Sequence, residues 1–178
     1  MLMVMENRKD DFMSQIVDED AWKELSSCFL WNEQLLDKYQ DKVDWKKISQ
    51  NENILWTKTM LEKFCEQIDW HELSQTEHQC ALQPDNLERF KQYWDWHELS
   101  CNSSLEFTYE LLDRFADYWD WSKIIDISSY RCTICSLYGM DFLHRYQERI
   151  PASQLRDTAL WDELVEQRKM QIAKEIAR

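Results

Sequence analysis

The sequence predicts an all-α protein: a short α-solenoid of about five to six two-helix repeats of about 25 residues, with capping helices at both ends. The first observation is a nearly fixed period. Trp22, Trp45, Trp70, Trp96 and Trp121 are spaced 23, 25, 26 and 25 residues apart. The second is the pattern Asp-Trp-x-x-Leu/Ile-Ser, which opens the copies. A period in this range is typical of stacked-repeat proteins.

The opening pattern predicts a short helix of one to two turns. Tryptophan and the apolar residue three positions later share one helical face, and the preceding aspartate can cap the helix. Asp69 with Glu72, and Asp95 with Glu98, have the spacing of a capping box, in which the glutamate reaches back to the capping residue. The adjacent histidines, His71 and His97, are interpreted as exposed members of this helix.

A second helix follows in each copy and begins with a bulky residue before a small polar or turn residue. We interpret the second member of each pair as the N-cap and expect the first to pack on the fourth helical residue as a hydrophobic staple. The pairs are Trp31-Asn32, Trp56-Thr57, Leu82-Gln83, Phe107-Thr108 and Tyr138-Gly139, and the fourth residues are Leu36, Leu61, Leu87, Leu112 and Leu143.

An apolar stripe continues from each of these leucines. An aromatic residue lies three positions on, and a further apolar residue lies four positions after that. Offsets of 0, 3 and 7 lie on one helical face and predict a helix of about three turns. The stripe residues are Tyr39, Phe64, Phe90, Phe115 and Tyr146, followed by Val43, Ile68, Trp94, Trp119 and Ile150.

The repeats predict one domain with three segments. Residues 1–17 form an N-terminal capping segment, 18–150 hold five tandem repeats, and 151–178 hold a degenerate repeat and a C-terminal capping helix. The fifth repeat is longer, with its extra residues around Ile127 to Ile134. In the last segment Trp161-Asp162 repeats the pair of bulky residue and cap, but the fourth helical residue is Glu166, so no staple is expected there.

The pattern resembles the tryptophan-rich tandem helical repeats of the DW..LS type, which occur in uncharacterised bacterial and large-virus proteins. The resemblance covers roughly residues 20 to 165. It implies an all-helical repeat protein and no known activity. The C-terminal copy departs from it, because Ala152 stands where the tryptophan is expected.

The formal net charge is −13, and the repeats carry it, with 26 acids and 13 bases between residues 18 and 148. One interpretation is that acids and bases pair between neighbouring repeats as solvated ion pairs. The other is a contact face for a protein with a basic surface, with Tyr93 and Tyr118 as aromatic contacts. We name as the acidic ridge Asp37, Asp41, Glu62, Glu66, Asp113 and Asp117, and beside it runs a basic column of Lys38, Lys63, Arg89, Arg114 and Arg145.

Chemical motifs are few. A single glycine, Gly139, excludes a glycine-rich phosphate loop, and no second histidine completes a zinc-protease motif after His71 or His97. We expect no catalytic residues, cofactor, metal or disulfide. The alternative for the cysteines is a zinc site with His97, Cys101, Cys132 and Cys135 as its ligands.

The sequence therefore predicts a non-enzymatic protein-interaction module, acting as an adaptor or an inhibitor. The alternative is an acidic blocker that occupies a nucleic-acid-binding groove on a partner, as a phage or virus anti-defence protein would. Direct nucleic-acid binding is disfavoured, because phosphate contacts require a basic surface. The opening apolar run of five residues is too short for a signal peptide or a membrane span, which predicts a cytoplasmic protein with no membrane contact.

Overall fold

The computed structural model describes residues 2–128 and 132–178, with side chains from Phe12 onward. The prediction of an all-α protein is confirmed, because the described residues form helices and turns without a strand. Two 3-10 turns cover Thr133–Ser136 and Ala152–Gln154. The α-helices are α1 Leu2–Cys28, α2 Glu33–Tyr39, α3 Trp45–Gln50, α4 Lys58–Lys63, α5 Trp70–Gln75, α6 Pro84–Arg89, α7 Trp96–Cys101, α8 Tyr109–Arg114, α9 Trp121–Ile124, α10 Met140–Tyr146 and α11 Ala159–Ile176.

The chain divides into two compact units, Met1–Ala81 and Leu82–Arg178. In both units short helices that begin at the repeated tryptophans alternate with helices that begin after the predicted caps. The repeat period read from the sequence is therefore the period of the helices. The arrangement of the repeats into a solenoid stays a prediction.

Each short helix begins with the same two hydrogen-bonding devices. The aspartate before the tryptophan accepts backbone N–H groups of the first turn, as Asp44 does from Lys47 at 3.2 Å. The tryptophan Nε1–H donates to the carbonyl five residues earlier, as in Trp70 to Cys65 at 2.8 Å. The same indole bond recurs at 2.8–3.0 Å at Trp45, Trp96 and Trp121. It satisfies a carbonyl left over where the preceding helix ends.

The serine of the pattern joins one repeat to the next. Ser49 Oγ donates to the Trp45 carbonyl at 2.8 Å and accepts the backbone N–H of Asp69 at 2.9 Å. Ser100 Oγ makes the equivalent bonds to Trp96, at 2.6 Å, and Asp120, at 2.9 Å. Both serines are fully buried. A buried hydroxyl at this position therefore accepts a partly buried amide of the following repeat.

We expect Ser100→Ala to lower the free energy of unfolding by about 1–2 kcal/mol, because the partly buried Asp120 amide loses its acceptor. Ser27→Ala is the matched control. Its hydroxyl is exposed and donates only to the Glu24 carbonyl at 2.8 Å within α1. Urea denaturation measures both variants, and equal losses would contradict the proposed role of the serine.

The predicted start of the second helix is confirmed at all five positions: Asn32, Thr57, Gln83, Thr108 and Gly139 are the N-cap residues. The predicted length of three turns is wrong. The α-helical part spans only six or seven residues, after which the chain turns through an i to i−4 bond such as Ile68 N–H to the Phe64 carbonyl, at 3.0 Å. This turn keeps the last apolar residue buried and brings the next aspartate into its capping position.

The capping box predicted for Asp69 and Glu72 is only half present. Asp69 accepts the Glu72 N–H at 3.2 Å, but the Asp69 N–H donates to Ser49 instead. Glu72 is buried rather than exposed at the surface, and its carboxylate contacts Lys46 at 2.7 Å and Gln50 at 2.6 Å. The Lys46 ammonium, followed by the Gln50 amide, holds the pKa of Glu72 below its ordinary value.

The last two repeats depart from the predicted register. In α10 Phe142 is fully buried and contacts the Tyr138 ring at 5.5 Å, so it replaces the half-buried Leu143 in the staple. The predicted cap at Asp162 is wrong, because Thr158 caps α11 and accepts the Trp161 N–H at 3.3 Å. The predicted insertion around Ile127 to Ile134 includes residues 129–131, which lie outside the described part of the chain.

The predicted N-terminal capping segment and the first short helix are one continuous helix, since α1 runs through residue 17 to Cys28. Leu25 in α1 is 41% exposed, whereas the equivalent residues of the later repeats, Ile48, Leu73, Leu99 and Ile124, are fully buried. The face of α1 that carries Leu25 is therefore partly exposed to solvent at the N-terminal end of the first unit. The predicted helical spacing of Phe12, Met13, Ile16 and Val17 is present, but all four side chains are exposed.

Candidate functional site

The acidic ridge of the first unit lies beside the basic column. Lys63 Nζ is 3.0 Å from the Asp37 carboxylate and 3.7 Å from that of Glu33. Lys63 belongs to the second repeat and its acidic partners to the first. The side chains of Asp41, Glu62 and Glu66 are exposed. The column therefore neutralises part of the ridge between successive repeats.

The second unit shows the same pairing. Arg114 contacts Glu88 at 3.2 Å, and Arg149 contacts Asp117 at 2.7 Å. Arg145 forms an ion pair with Asp113, whose Oδ1 also accepts the Tyr146 hydroxyl at 2.9 Å. The Arg145 guanidinium, ahead of the Tyr146 hydroxyl, lowers the pKa of Asp113. These partly exposed pairs match the interpretation of solvated ion pairs, each of which contributes little to stability.

The two candidate tyrosines, Tyr93 and Tyr118, both contact other residues of their repeats. Tyr118 is 44% exposed, and its ring lies 5.0 Å from that of Trp96. Tyr93 is half-buried, and its N–H donates to the Phe90 carbonyl at 2.8 Å. Tyr118 therefore covers one face of an opening tryptophan while leaving part of its own ring available to solvent.

An exposed apolar patch lies on the loops of the first unit, and the sequence analysis missed it. We call Phe29, Leu30 and Leu55 the leucine edge. Their side chains are 44%, 70% and 66% exposed. The two loops touch, because Asn51 Nδ2 donates to the Phe29 carbonyl at 2.9 Å and Asn53 Nδ2 to the Cys28 carbonyl at 3.0 Å. The leucine edge therefore lies on two loops that touch and that belong to adjacent repeats.

The signal for this patch is present in the sequence. Leu30 and Leu55 each directly precede the staple residue of their repeat, and the equivalent position of the fourth repeat is Glu106. The staple residues Trp31 and Trp56 are buried, so the leucines before them point away from the core. The equivalent residues of the third and fifth repeats, Ala81 and Leu137, are buried and half-buried, so the exposed leucines are a feature of the first two repeats.

A cavity of about 570 Å³ lies beside the first opening tryptophan. Its walls include Trp22, Lys42 and Asp41. Lys42 lies over the Trp22 ring at 5.4 Å. Among the described residues Trp22 Nε1 donates to no carbonyl five residues earlier, because that carbonyl lies inside the continuous helix α1. The acids of this cavity extend the acidic ridge toward α1.

A second cavity, of about 320 Å³, lies next to the leucine edge and is lined by Leu55, Trp56 and His78 among others. Trp56 Nε1 and His78 Nε2 are buried and have no hydrogen-bond partner among the described residues. Burial lowers the pKa of His78, opposed by the nearby Glu52 carboxylate and by a hydrogen bond to the Asn51 backbone. Glu77 and Cys80 are the other titratable groups in the walls.

The His78 environment predicts a pH-dependent stability. The unfolded chain takes up a proton near the ordinary histidine pKa of about 6.5, whereas the folded chain resists it. Stability should therefore fall as pH is lowered through this value, until the lowered pKa of the folded state is passed. In His78→Gln we expect the melting temperature to change less with pH between about pH 7.5 and 5.5 than it does in the wild type. The exposed His144, changed to Gln, is the control, and a wild-type slope in His78→Gln would contradict the assignment.

The possible zinc ligands are not brought together. Among the described residues, no cluster of three metal-ligating atoms includes His97, Cys101, Cys132 or Cys135. His97 Nδ1 lies 2.8 Å from the Asp120 carboxylate, and Cys135 Sγ is 3.2 Å from the Ile127 carbonyl. Burial raises the pKa of the Cys101, Cys132 and Cys135 thiols, which disfavours the thiolate that metal binding and nucleophilic attack require. All six cysteines are free thiols.

Comparison of the chain with known protein families, with curated proteins and with solved structures gives no match. Among the helices of the described residues, none combines the length and apolar character needed to cross a membrane.

Proposed function

We propose that the chain is a non-enzymatic module that binds another protein. The leucine edge supplies the apolar contact, and the surrounding acids favour a partner with a basic surface. The observation that supports this most is the exposure of Leu30 and Leu55, at 70% and 66%, at the same position of two adjacent repeats. Exposed apolar side chains that lie on adjacent loops are a feature of interaction sites.

The charges next to the patch favour a basic rim on the partner. Glu52 and Glu77 line the cavity beside Leu55, and Glu33 lies one repeat earlier, where it contacts Lys63. An apolar centre with a charged rim is the usual anatomy of a protein interface. The partner would then present an apolar side chain to Leu30 and Leu55 and lysine or arginine to the acids around them.

The acidic ridge has a secondary role in this proposal. Asp37, Asp113 and Asp117 already contact basic residues of the following repeat. Charges at the rim of an interface mainly change the rate of association. The ridge residues, with Tyr93 and Tyr118 as aromatic neighbours, stay candidate contacts that guide a basic partner toward the apolar patch.

The test is a comparison of proteins retained from a host lysate by the wild type and by the variant Leu30→Ser with Leu55→Ser. A partner of the leucine edge is retained by the wild type and lost by the variant. The matched control is Val165→Ser with Met170→Ser, which removes two exposed apolar side chains from α11. A partner lost equally from both variants would contradict the assignment of the leucine edge.

Salt separates this proposal from the acidic-blocker alternative. A charge-driven complex weakens steeply as ionic strength rises, whereas an apolar contact persists. In a kinetic binding measurement with the retained partner, Asp37→Asn with Asp41→Asn should slow association and leave dissociation unchanged. Complete loss of the partner at high salt, with no effect of the Leu30 and Leu55 changes, would overturn the apolar contact and favour the blocker.

A further inference from the structure

The smaller cavity of the first unit contains two polar atoms that the fold leaves without a partner. The cavity has a volume of about 320 Å³, and its walls are residues 52–56, in the loop after α3, and residues 77–80, in the loop after α5. Trp56 Nε1 and His78 Nε2 belong to side chains of these walls and are buried. In the part of the chain that the structure describes, neither atom has a hydrogen-bond partner, so they do not bond to each other either. A bound group is needed to satisfy both.

The Trp56 indole supplies a donor, because its Nε1–H has no capacity to accept. The staple residue of the preceding repeat, Trp31, donates the same N–H to the Leu25 carbonyl at 3.0 Å. Leu82 and Phe107, which have no polar side-chain atom, are the staples of the next two repeats. The staple position therefore does not need a donor, and a buried donor without a partner lowers stability. The Trp56 N–H is available to a group that the single chain does not contain.

The His78 ring supplies an acceptor. It forms a hydrogen bond with the Asn51 backbone that raises its pKa, as a carbonyl that accepts from the ring does. Since Nε2 has no partner, the nitrogen in this bond is Nδ1, which therefore carries the hydrogen. Burial lowers the pKa of His78 more strongly than this bond raises it, so the neutral ring predominates at neutral pH. Its Nε2 then has a lone pair that requires a donor.

A hydroxyl is the smallest organic group that meets both requirements. Its oxygen accepts from Trp56, and its hydrogen is donated to His78. An ammonium has no lone pair for the indole, and a carboxylate has no hydrogen for the imidazole. A carboxylate would in addition meet Glu52 and Glu77, which line the same cavity. The polar atoms therefore select a neutral ligand with a hydroxyl.

The other walls select an apolar body for this ligand. Ile54 and Leu55 contribute aliphatic side chains, and Trp56 and His78 contribute rings. A concave site with apolar and aromatic walls and a few polar groups is typical of small-molecule binding. An aliphatic amide meets both hydrogen-bonding requirements but has little apolar surface, whereas a phenol joins a ring to a hydroxyl.

We propose that this cavity binds a neutral phenol, whose oxygen accepts the Trp56 Nε1–H and whose hydroxyl donates to His78 Nε2. The site takes its ligand whether or not the leucine edge binds a protein. A phenol reaches it either as a free small molecule or as the side chain of a tyrosine in a peptide.

Three related compounds test the assignment on the full-length wild type. para-Cresol offers both the acceptor and the donor, its methyl ether para-methylanisole keeps only the acceptor, and para-toluate is an anion. Isothermal titration calorimetry should show para-cresol bound at least about tenfold more tightly than para-methylanisole, because a site that hydrogen-bonds a hydroxyl rejects an analogue without it. para-Toluate should not bind, since Glu52 and Glu77 oppose a negative charge.

His78→Phe removes the acceptor and keeps a ring, so the preference for para-cresol over para-methylanisole should disappear in this variant. His144→Phe, at an exposed position of α10, is the matched control and should keep the wild-type preference. Trp56→Phe should weaken both compounds, because both accept the indole N–H. The comparison of compounds on the wild type stands even where a variant does not fold.

N-acetyltyrosinamide separates the two sources of the phenol. Binding as tight as that of para-cresol assigns the site to a tyrosine of a peptide, and its exclusion while para-cresol binds assigns the site to a free phenol. The proposal is overturned if para-cresol shows no saturable binding, which would mean that water alone occupies the cavity. It is equally overturned if the wild type binds para-methylanisole as tightly as para-cresol, or if folded His78→Phe keeps the wild-type preference.

Discussion

Trp70→Ala is expected to lower the free energy of unfolding by about 3–5 kcal/mol, the range found when a buried aromatic side chain is truncated. Trp70 is only 7% exposed, and its Nε1–H donates to the Cys65 carbonyl at 2.8 Å. Alanine leaves a cavity and removes the partner of that carbonyl. Urea denaturation followed by circular dichroism measures the loss.

Two further variants separate the contributions to this loss. Trp70→Phe keeps most of the ring and removes the hydrogen bond, so about 1 kcal/mol is expected. Trp22→Ala is the control within the same unit. Trp22 is half-buried, contacts the Tyr39 ring at 5.4 Å and lacks the backbone carbonyl bond of the later tryptophans. A loss below about 1 kcal/mol for Trp70→Ala, or one no larger than that of Trp22→Ala, would show that the repeated tryptophan is not the anchor of the repeat.

Local features of the fold could be predicted because they depend on a few neighbouring residues. The N-caps at Asn32, Thr57 and Thr108 follow from a side-chain oxygen that can accept an amide of the first helical turn. Because the same residue types recur in each copy, they also predicted at which residue each second helix begins. Where the fifth copy varies, the register was wrong by one residue, because Phe142 and Leu143 are both apolar and only packing against Tyr138 decides between them.

Features that join one repeat to another could not be predicted from spacing alone. The sequence pattern includes the serine after Leu or Ile, but nothing in it shows that Ser49 would take the Asp69 amide that the capping box assigned to Glu72. Because the Asp69 amide bonds to Ser49, the Glu72 carboxylate does not cap it and contacts Lys46 instead. Helix length was overestimated because a helix and a following turn keep the same apolar periodicity.

The predicted binding residues illustrate the same limit. The alternation of acids and bases in the sequence is compatible with a ridge or with ion pairs. The distance of 3.0 Å from Lys63 to Asp37 shows that the two columns meet. The leucine edge was missed because the residue before the staple differs among the repeats, with Ala81 and Glu106 in the third and fourth. Leu30 and Leu55 become a patch only when hydrogen bonds from Asn51 and Asn53 hold the two loops together.

Asn51→Leu should produce the second-largest loss of stability, about 2–4 kcal/mol, because a buried amide that serves three partners is replaced by an apolar side chain of similar size. Asn51 is 1% exposed. Its Nδ2 donates to the Ser26 and Phe29 carbonyls, both at 2.9 Å, and its Oδ1 accepts the Asn53 N–H at 2.9 Å. Leucine leaves these backbone groups without a partner, at least one of them in a buried site.

Asn53→Ala is the control, because its side chain is exposed and makes one bond, to the Cys28 carbonyl at 3.0 Å. We expect it to lose less than about 1 kcal/mol. Since Asn51 also holds the loop that carries Phe29 and Leu30, Asn51→Leu should weaken retention of the leucine-edge partner even under conditions where the variant is fully folded. Normal retention by folded Asn51→Leu would show that the partner does not depend on the spacing of the two loops.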